Sequence, residues 1–235
     1  MLGSLLRLAA GGLITLVMAV VAIVALAFDR TGKKYHWVSR MWSRAALRVI
    51  GVRVRVRGAE HLEPGRSYIY VCNHASMVDI PAVAAGIPDD IRIVYKRELE
   101  KIPLFGWGLR WSNYIGIDRG RSAEARHSLD EAVAKIRNGA SVLMFGEGTR
   151  TSDGKLQPFK RGAFHLAVRS GVSVVPLTIN GSFTIVPKHS LRIRRGTVEL
   201  VLSPPIAIAA VEGKDAELAL MAKVRAAIAA EYHDQ

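Results

Sequence analysis

The sequence predicts an α/β fold, a mostly parallel or mixed central sheet covered by helices, preceded by an N-terminal helical segment. Two observations carry this. Short strand-like runs alternate with helical stretches from residue 51 onward, the pattern of parallel strands joined by crossover helices. Ahead of them, the 21 residues Leu8–Phe28 carry no charged side chain. The chain of 235 residues accommodates one ordinary domain with a small appendage. Residues 1–50 form the predicted N-terminal helices, and residues 51–235 the α/β domain.

Each element has its own signal. Leu8–Phe28 would make roughly 31 Å of helix, about the thickness of a bilayer's hydrocarbon core. Three readings fit it: a cleaved signal peptide, a spanning helix, or an embedded anchor that does not cross. Nine Lys/Arg and no acidic residue lie between Arg30 and Gly58. Such a cluster resists export, which argues against the signal peptide. In Lys33–Ile50, Trp37, Met41, Ala45 and Val49 recur every four residues beside a row of His36, Arg40, Arg44 and Arg48. That suits a helix lying in the headgroup region. Both helices are therefore expected to anchor the protein to a membrane, with the domain on the cytoplasmic side.

Val52, Val54 and Val56 alternate with arginines, as in a strand with one exposed face. Tyr68–Cys72, Ile91–Tyr95, Tyr114–Ile117, Ser141–Phe145, Ser173–Ile179 and Thr197–Leu202 read as strands, with Pro176 interrupting the sixth of these seven. Asp79–Gly86 is a short helix that tolerates Pro81 in its first turn. Leu104–Arg110 and Gly162–Ser170 are helical. Ser122 is positioned to cap a helix that Gly139 stops. Lys214–Tyr232 closes the chain as an amphipathic helix.

Composition narrows the class. Half of the residues are apolar, the mean hydropathy is +0.18 and the formal charge is +13. A disordered chain is excluded. One cysteine, Cys72, excludes an internal disulfide. So high a charge calls for acidic surroundings: nucleic acid, anionic lipid or phosphorylated ligands. The basic cluster sits just after the apolar run, and no groove-reading element or aromatic platform is evident, so nucleic acid is not expected.

Candidate chemistry gathers at strand ends. His74 follows an apolar strand, and Asp79 lies five residues on. A carboxylate can fix an imidazole's tautomer while the other ring nitrogen takes a proton from a hydroxyl. Ser76 and Cys72 are possible nucleophiles, but neither sits in a nucleophile elbow. In Phe145-Gly146-Glu147-Gly148-Thr149-Arg150-Thr151 the glycines allow close backbone approach, and Arg150 offers a fork for phosphate or carboxylate. The spacing from Gly148 to Gly154-Lys155 does not make a Walker loop. Ile117-Asp118-Arg119 delivers another guanidinium at a strand end. No second His/Cys/Asp cluster has ligand spacing, so no metal is expected.

Asn73-His74-Ala75-Ser76-Met77-Val78-Asp79 resembles the Asn-His-x-x-x-x-Asp motif of the glycerolipid acyltransferase superfamily. Ile117-Asp118-Arg119, Phe145–Thr151 and Val174-Val175-Pro176-Leu177 resemble its second, third and fourth blocks, in family order. Lys96-Arg97-Glu98-Leu99 and Phe159-Lys160-Arg161-Gly162 fit the intervening segments. In length and motif wording the chain is most similar to the 1-acyl-sn-glycerol-3-phosphate acyltransferases. The resemblance implies that His74 is the general base and Asp79 orients it. It implies that the sn-2 hydroxyl of lysophosphatidate attacks the thioester of acyl-CoA or acyl-carrier protein directly, giving phosphatidate without a cofactor. Arg119 and Arg150 would hold the acceptor phosphate, Glu147, Gly148 and Thr149 would shape that loop, and Lys96 and Lys160 would add positive potential. Two positions depart from the pattern: Gly146 stands where the family usually has proline, and Gly116 where a bulky apolar residue is usual. Both bear on the acceptor, leaving another lyso-lipid such as lyso-ornithine lipid as an alternative. A thioesterase or lipase using Ser76 or water is a further one.

Overall fold

The computed structural model describes residues 2–29, 32–112, 114–118, 123–187, 192–208 and 213–233. Seven strands form one sheet in the order β1-β7-β6-β2-β5-β3-β4. They are β1 (Val52–Arg57), β2 (Ile69–Cys72), β3 (Ile91–Lys96), β4 (Ile115–Ile117), β5 (Ser141–Phe145), β6 (Val174–Asn180) and β7 (Gly196–Leu202). Strands β6, β2, β5, β3 and β4 run parallel; β7 is antiparallel to β6, and β1 follows β7. The sheet is thus mixed, with its C-terminal strand ends at one edge for the five parallel members.

The helices are α1 (Leu2–Phe28), α2 (Lys33–Ile50), α3 (Asp79–Gly86), α4 (Phe105–Trp111), α5 (Ala123–Arg137), α6 (Gly162–Ser170) and α7 (Lys214–Glu231). Two 3-10 turns, Ala59–His61 and Arg97–Lys101, have no counterpart in the sequence reading. Successive side chains of a strand point to opposite faces. In β2, Tyr70 and Cys72 accordingly join the core beneath α2 and α3, with Leu47, Val83 and Ile87. Ile69 and Val71 join the core beneath α5, α6 and α7, with Phe164, Leu166, Val224 and Ile228. All four β2 residues are buried, as a central strand covered on both faces requires.

Two expectations change. Strand β6 runs through Pro176 without interruption. Pro176 lies opposite Val71 of β2, and its carbonyl accepts from Ser203 just beyond the end of β7. In an extended strand a residue's N–H and C=O point the same way, so the missing donor falls where the β7 ladder is ending. In α2, His36 is not part of an outward cationic row. It is buried with Tyr35, Val38, Ser43 and Leu47, and its Nδ1 is 3.4 Å from Asp90. Burial lowers its pKa. The face bearing Trp37 and Met41 is exposed.

Helix α1 starts six residues earlier than its uncharged run and packs along α2. Trp42 Nε1 donates to Thr15 at 3.0 Å, and Arg7 reaches the Ile193 carbonyl. Near its other end, Met18, Ala22, Ala25 and Leu26 pack with Tyr35, Val38, Leu109 and Tyr114. Ala9–Leu26 is long and apolar enough to cross a membrane, and little of it is buried. The Ser122 cap, and Arg30 of the basic cluster, lie outside the described residues.

Candidate functional site

The site forms where β2 and β5 end side by side, with Cys72 in register with Phe145. Chain leaving β2 turns at Asn73–Val78 into α3, whose first residue is Asp79. Asp79 is fully buried, and its Oδ2 takes three donors. They are His74 Nδ1 at 2.7 Å, the Ala75 N–H at 2.8 Å and the Ser76 N–H at 2.9 Å. Its Oδ1 has no partner. An ionised carboxylate is acceptor-only, so Nδ1 is the nitrogen that donates in this pair, and in the neutral ring Nε2 is the one with the lone pair. The turn explains the five-residue spacing: it wraps the backbone N–H groups of Ala75 and Ser76 around the same oxygen that holds the ring. Phe145 stacks on the His74 ring at 3.7 Å between centroids, leaving one ring face for other contacts.

Loop 146–151 fastens to the same turn. The Gly146 N–H donates to the Cys72 carbonyl at 2.8 Å, and the Thr151 N–H to the His74 carbonyl at 2.8 Å. Glu147 is buried, and its two oxygens accept from the backbone N–H groups of His74, at 2.6 Å, and Gln157, at 3.1 Å. Burial pushes the Glu147 carboxyl up to about 7, while the two amide hydrogen bonds pull the other way. Glu147 is thus a brace between the His74 turn and the loop. Gly148 has a φ of 71°, a conformation that favours glycine, and a Cβ there would lie 3.0 Å from Lys160 Cδ. The Lys160 side chain therefore runs along this loop. Thr149 is exposed and Arg150 half-buried.

The remaining predicted residues sit farther along the same edge. Lys96 ends β3, exposed and in register with Ile117 of β4. Arg97 pairs with Asp118 at 3.0 Å. Arg119 lies outside the described residues. Strand order places the third block beside His74, with the second block two strands beyond it. Arg161 of the Phe-Lys-Arg-Gly segment turns away and pairs with Glu217 of α7.

The two candidate nucleophiles are otherwise engaged. Ser76 is buried, and its hydroxyl donates to the Val186 carbonyl at 2.9 Å. Cys72 is fully buried, and burial pushes its thiol well up, away from the thiolate form. Both departures from the family pattern are space-filled. A Cβ on Gly146 would lie 2.8 Å from the Phe159 ring, and one on Gly116 would lie 2.9 Å from Glu100 Oε1 and 3.1 Å from the Tyr95 hydroxyl.

Sequence reasoning missed Asn73 as a structural clamp. Its amide nitrogen donates to the Ile179 carbonyl and its oxygen accepts the Ile179 N–H, both at 2.8 Å. That ties the His74 turn to β6, the strand of the fourth block. The one available signal was Asn73 itself, an amide placed straight after an apolar strand. Gln157, which contributes only a backbone N–H to Glu147, had none.

A family model described as Acyltransferase matches residues 53–180, which contain the whole of this site. The human 1-acyl-sn-glycerol-3-phosphate acyltransferase alpha is 32% identical over 192 residues, 81% of this chain and 68% of that protein. The chain belongs to the 1-acyl-sn-glycerol-3-phosphate acyltransferase family. The chloroplastic relative BAT2 of Brassica napus is 32% identical over 77% of this chain. Only 53% of that protein is covered, so the chain spans about half the length of such plant relatives. Among solved structures, the 1-acyl-sn-glycerophosphate (LPA) acyltransferase PlsC of Thermotoga maritima matches with a TM-score of 0.80 at 25% identity, over 97% of this chain and 95% of that one. The fold of this chain, N-terminal helices included, is thus shared with that solved acyltransferase over nearly the whole length of both.

Proposed function

We propose that the protein transfers a fatty acyl group from acyl-CoA or acyl-carrier protein to the sn-2 hydroxyl of lysophosphatidate, forming phosphatidate. The observation that carries this is the His74–Asp79 pair, with Asp79 Oδ2 pinned by two backbone N–H groups and His74 Nε2 left as the base. His74 Nε2 takes the hydroxyl proton while the hydroxyl oxygen attacks the thioester carbonyl carbon. The tetrahedral oxyanion collapses, the carbon–sulfur bond breaks, and the thiolate leaves with the proton from His74. Asp79 stabilises the imidazolium between these steps. This transfer balances with His74, Asp79, the hydroxyl and the thioester alone. Direct transfer is supported by the engagement of the buried Ser76 hydroxyl with the Val186 carbonyl, which occupies the serine that a hydrolase would use.

Arg150 and Arg119 hold the acceptor phosphate, with Lys160 and Lys96 adding positive potential around an anionic acceptor and donor. Gly148 and Thr149 shape the loop that carries Arg150, and Glu147 fixes it to the His74 turn. The protein is held at the cytoplasmic membrane by α1 and the outer face of α2, with the active site on the cytoplasmic side. The packing of α1 along the domain, from Arg7 against Ile193 to Leu26 near Leu109, supports an anchor lying in one leaflet rather than a crossing helix.

Membranes containing the protein are expected to convert lysophosphatidate and acyl-CoA to phosphatidate. His74→Ala abolishes turnover with membrane attachment intact, and Ser76→Ala retains it. Loss in Ser76→Ala with retention in His74→Ala would mean a hydrolase instead. Lyso-ornithine lipid and glycerol-3-phosphate, offered as alternative acceptors, should be poorer; preference for either would move the assignment within the family.

A further inference from the structure

Between β3 and β4 the chain makes a segment whose construction the acyl-transfer chemistry does not require. Leu99, Ile102, Trp107 and Trp111 are all exposed, at 36%, 45%, 45% and 58%. Four large apolar side chains within thirteen residues form a patch rather than scattered surface hydrophobics. Trp107 and Trp111, four residues apart in α4, lie on one helix face with ring centroids 6.5 Å apart. The opposite face of α4 carries Leu109, buried against Met18, Ala22, Ala25 and Leu26 of α1. The tryptophan face lies on the side of α4 away from that contact, and α1 in turn exposes Leu13, Leu16, Val17, Val20, Val21 and Val24.

The segment is also held in a costly shape. Leu104, immediately before α4, has a φ of 63°, the only non-glycine with positive φ among the described residues. Non-glycine residues persist there only when their surroundings impose it, and such sites cluster at functional surfaces. At Gly106 a Cβ would come 2.4 Å from the Glu100 carbonyl oxygen, so the 3-10 turn Arg97–Lys101 and α4 lock backbone to backbone. Lys96, Lys101 and Arg110 surround the patch and are exposed; Glu98 is the exposed acid on it. Tryptophan with basic neighbours is the composition of an element that sits at headgroup level.

We propose that Leu99–Trp111 is a second membrane-contacting element, separate from the N-terminal helices, which seats Trp107, Trp111, Leu99 and Ile102 in the headgroup–acyl boundary of an anionic bilayer. The segment leaves the sheet at Lys96, on the edge that carries His74. Immersing it sets the height of the active-site edge above the membrane and brings a bilayer-resident acceptor within reach. The last step rests on the lyso-lipid reading above; the immersion itself does not.

The test uses the full chain in vesicles of phosphatidylcholine and phosphatidylglycerol. With Trp37→Phe and Trp42→Phe in place, a further Trp111→Phe leaves Trp107 as the sole tryptophan, and Trp107→Phe leaves Trp111. Both reporters should show blue-shifted emission and quenching by lipids brominated on the upper acyl chain. Water-exposed emission without quenching overturns the proposal. In the second arm, a double Trp107→Ser, Trp111→Ser variant should lose about tenfold or more of its activity on long-chain lysophosphatidate in vesicles, from the apolar contact removed. Its activity on a short-chain, water-soluble acceptor should match the parent. Equal losses in both assays would assign the tryptophans to the fold and refute a membrane role. If the parent turns over neither acceptor, the lyso-lipid reading fails while quenching still decides the immersion. A dimer in detergent that the double substitution dissociates, with no quenching in vesicles, would give the face to a second copy of the chain.

Discussion

Replacing Asp79 with asparagine isolates the charge of the His74–Asp79 pair from its geometry. Oδ2 accepts from His74 Nδ1, Ala75 N–H and Ser76 N–H, while Oδ1 has no partner. The asparagine amide has one orientation that fits: its oxygen at the Oδ2 position and its NH2 at the unpartnered one. The reverse would aim an NH2 at three donors. Two of those donors are backbone, so they hold the amide and the imidazole keeps its Nδ1 proton and its position. What disappears is the attraction between carboxylate and imidazolium as the proton moves to Nε2. For unit charges about 4 Å apart at an effective dielectric constant of about 20, this is about 4 kcal/mol. The corresponding loss is about a thousandfold in kcat/KM. The assay is phosphatidate formation from lysophosphatidate and acyl-CoA, with thermal unfolding as the control. Asp79→Asn should melt close to the parent. Asp79→Ala, which orphans two buried backbone N–H groups, should lose about 2–6 kcal/mol of stability. A well-folded Asp79→Asn enzyme within about threefold of parental kcat/KM, well short of that Coulomb term, would refute the charge-pair mechanism.

Other consequences follow from the loop. Glu147 binds a proton more tightly in the native state than in the unfolded chain, its carboxyl being raised from 4.5 to about 7. Native protein therefore holds a proton that the unfolded chain has released across that window, and this group's contribution to stability falls as pH rises from 4.5 to 7, by up to about 1.4 kcal/mol per pH unit. In Glu147→Gln that component of the pH slope, followed by denaturant titration, should vanish. The same variant faces an NH2 against one of two backbone donors, so it should also be destabilised by about 1–3 kcal/mol. Gly146→Ala pushes a methyl into the Phe159 ring and should cost about 1–3 kcal/mol, most of it recovered by adding Phe159→Leu; simple additivity of the two would disprove the contact. Arg150→Ala should raise the KM for lysophosphatidate more than it lowers kcat, and an unchanged KM would remove Arg150 from the phosphate site.

Local signals located the elements well and the contacts between them poorly. The limits of α3, β5 and α6 follow from the strand-like and helical runs themselves, with Pro81 near the start of α3, all features of neighbouring residues. One boundary moved for a local reason: α4 begins at Phe105 rather than Leu104 because Leu104 has a positive φ, outside any helix. Strand order is another matter. Nothing in the periodicity of Val52–Arg57 reveals that β1 lies beside β7 at the far edge, or that both oppose the central strands. Periodicity reports which face of a residue is buried, and His36 shows its reach, since an apparent cationic row cannot reveal that Asp90 lies under its first member.

The same division holds within the site, and it explains why the motifs are spaced as they are. His74 and Asp79 were legible because their contact closes within one turn, so that a single short motif, Asn-His-x-x-x-x-Asp, contains both. Glu147 and Asn73 act across 73 and 106 residues of sequence, through backbone groups that every residue possesses. A carboxylate that receives backbone N–H groups leaves no trace in the identity of its donors, so Gln157 could not be found from its side chain. Yet the positions of the acceptors are constrained. Asn73 and Glu147 each lie one or two residues past the end of neighbouring strands in register, where the turn they must brace begins. Blocks at successive strand ends thus combine groups expected to meet substrate, His74 and Arg150, with buried groups that hold the turns, Asn73 and Glu147. A substitution in the second set should reach the reaction through the position of the His74 backbone, not through any contact with the lipid.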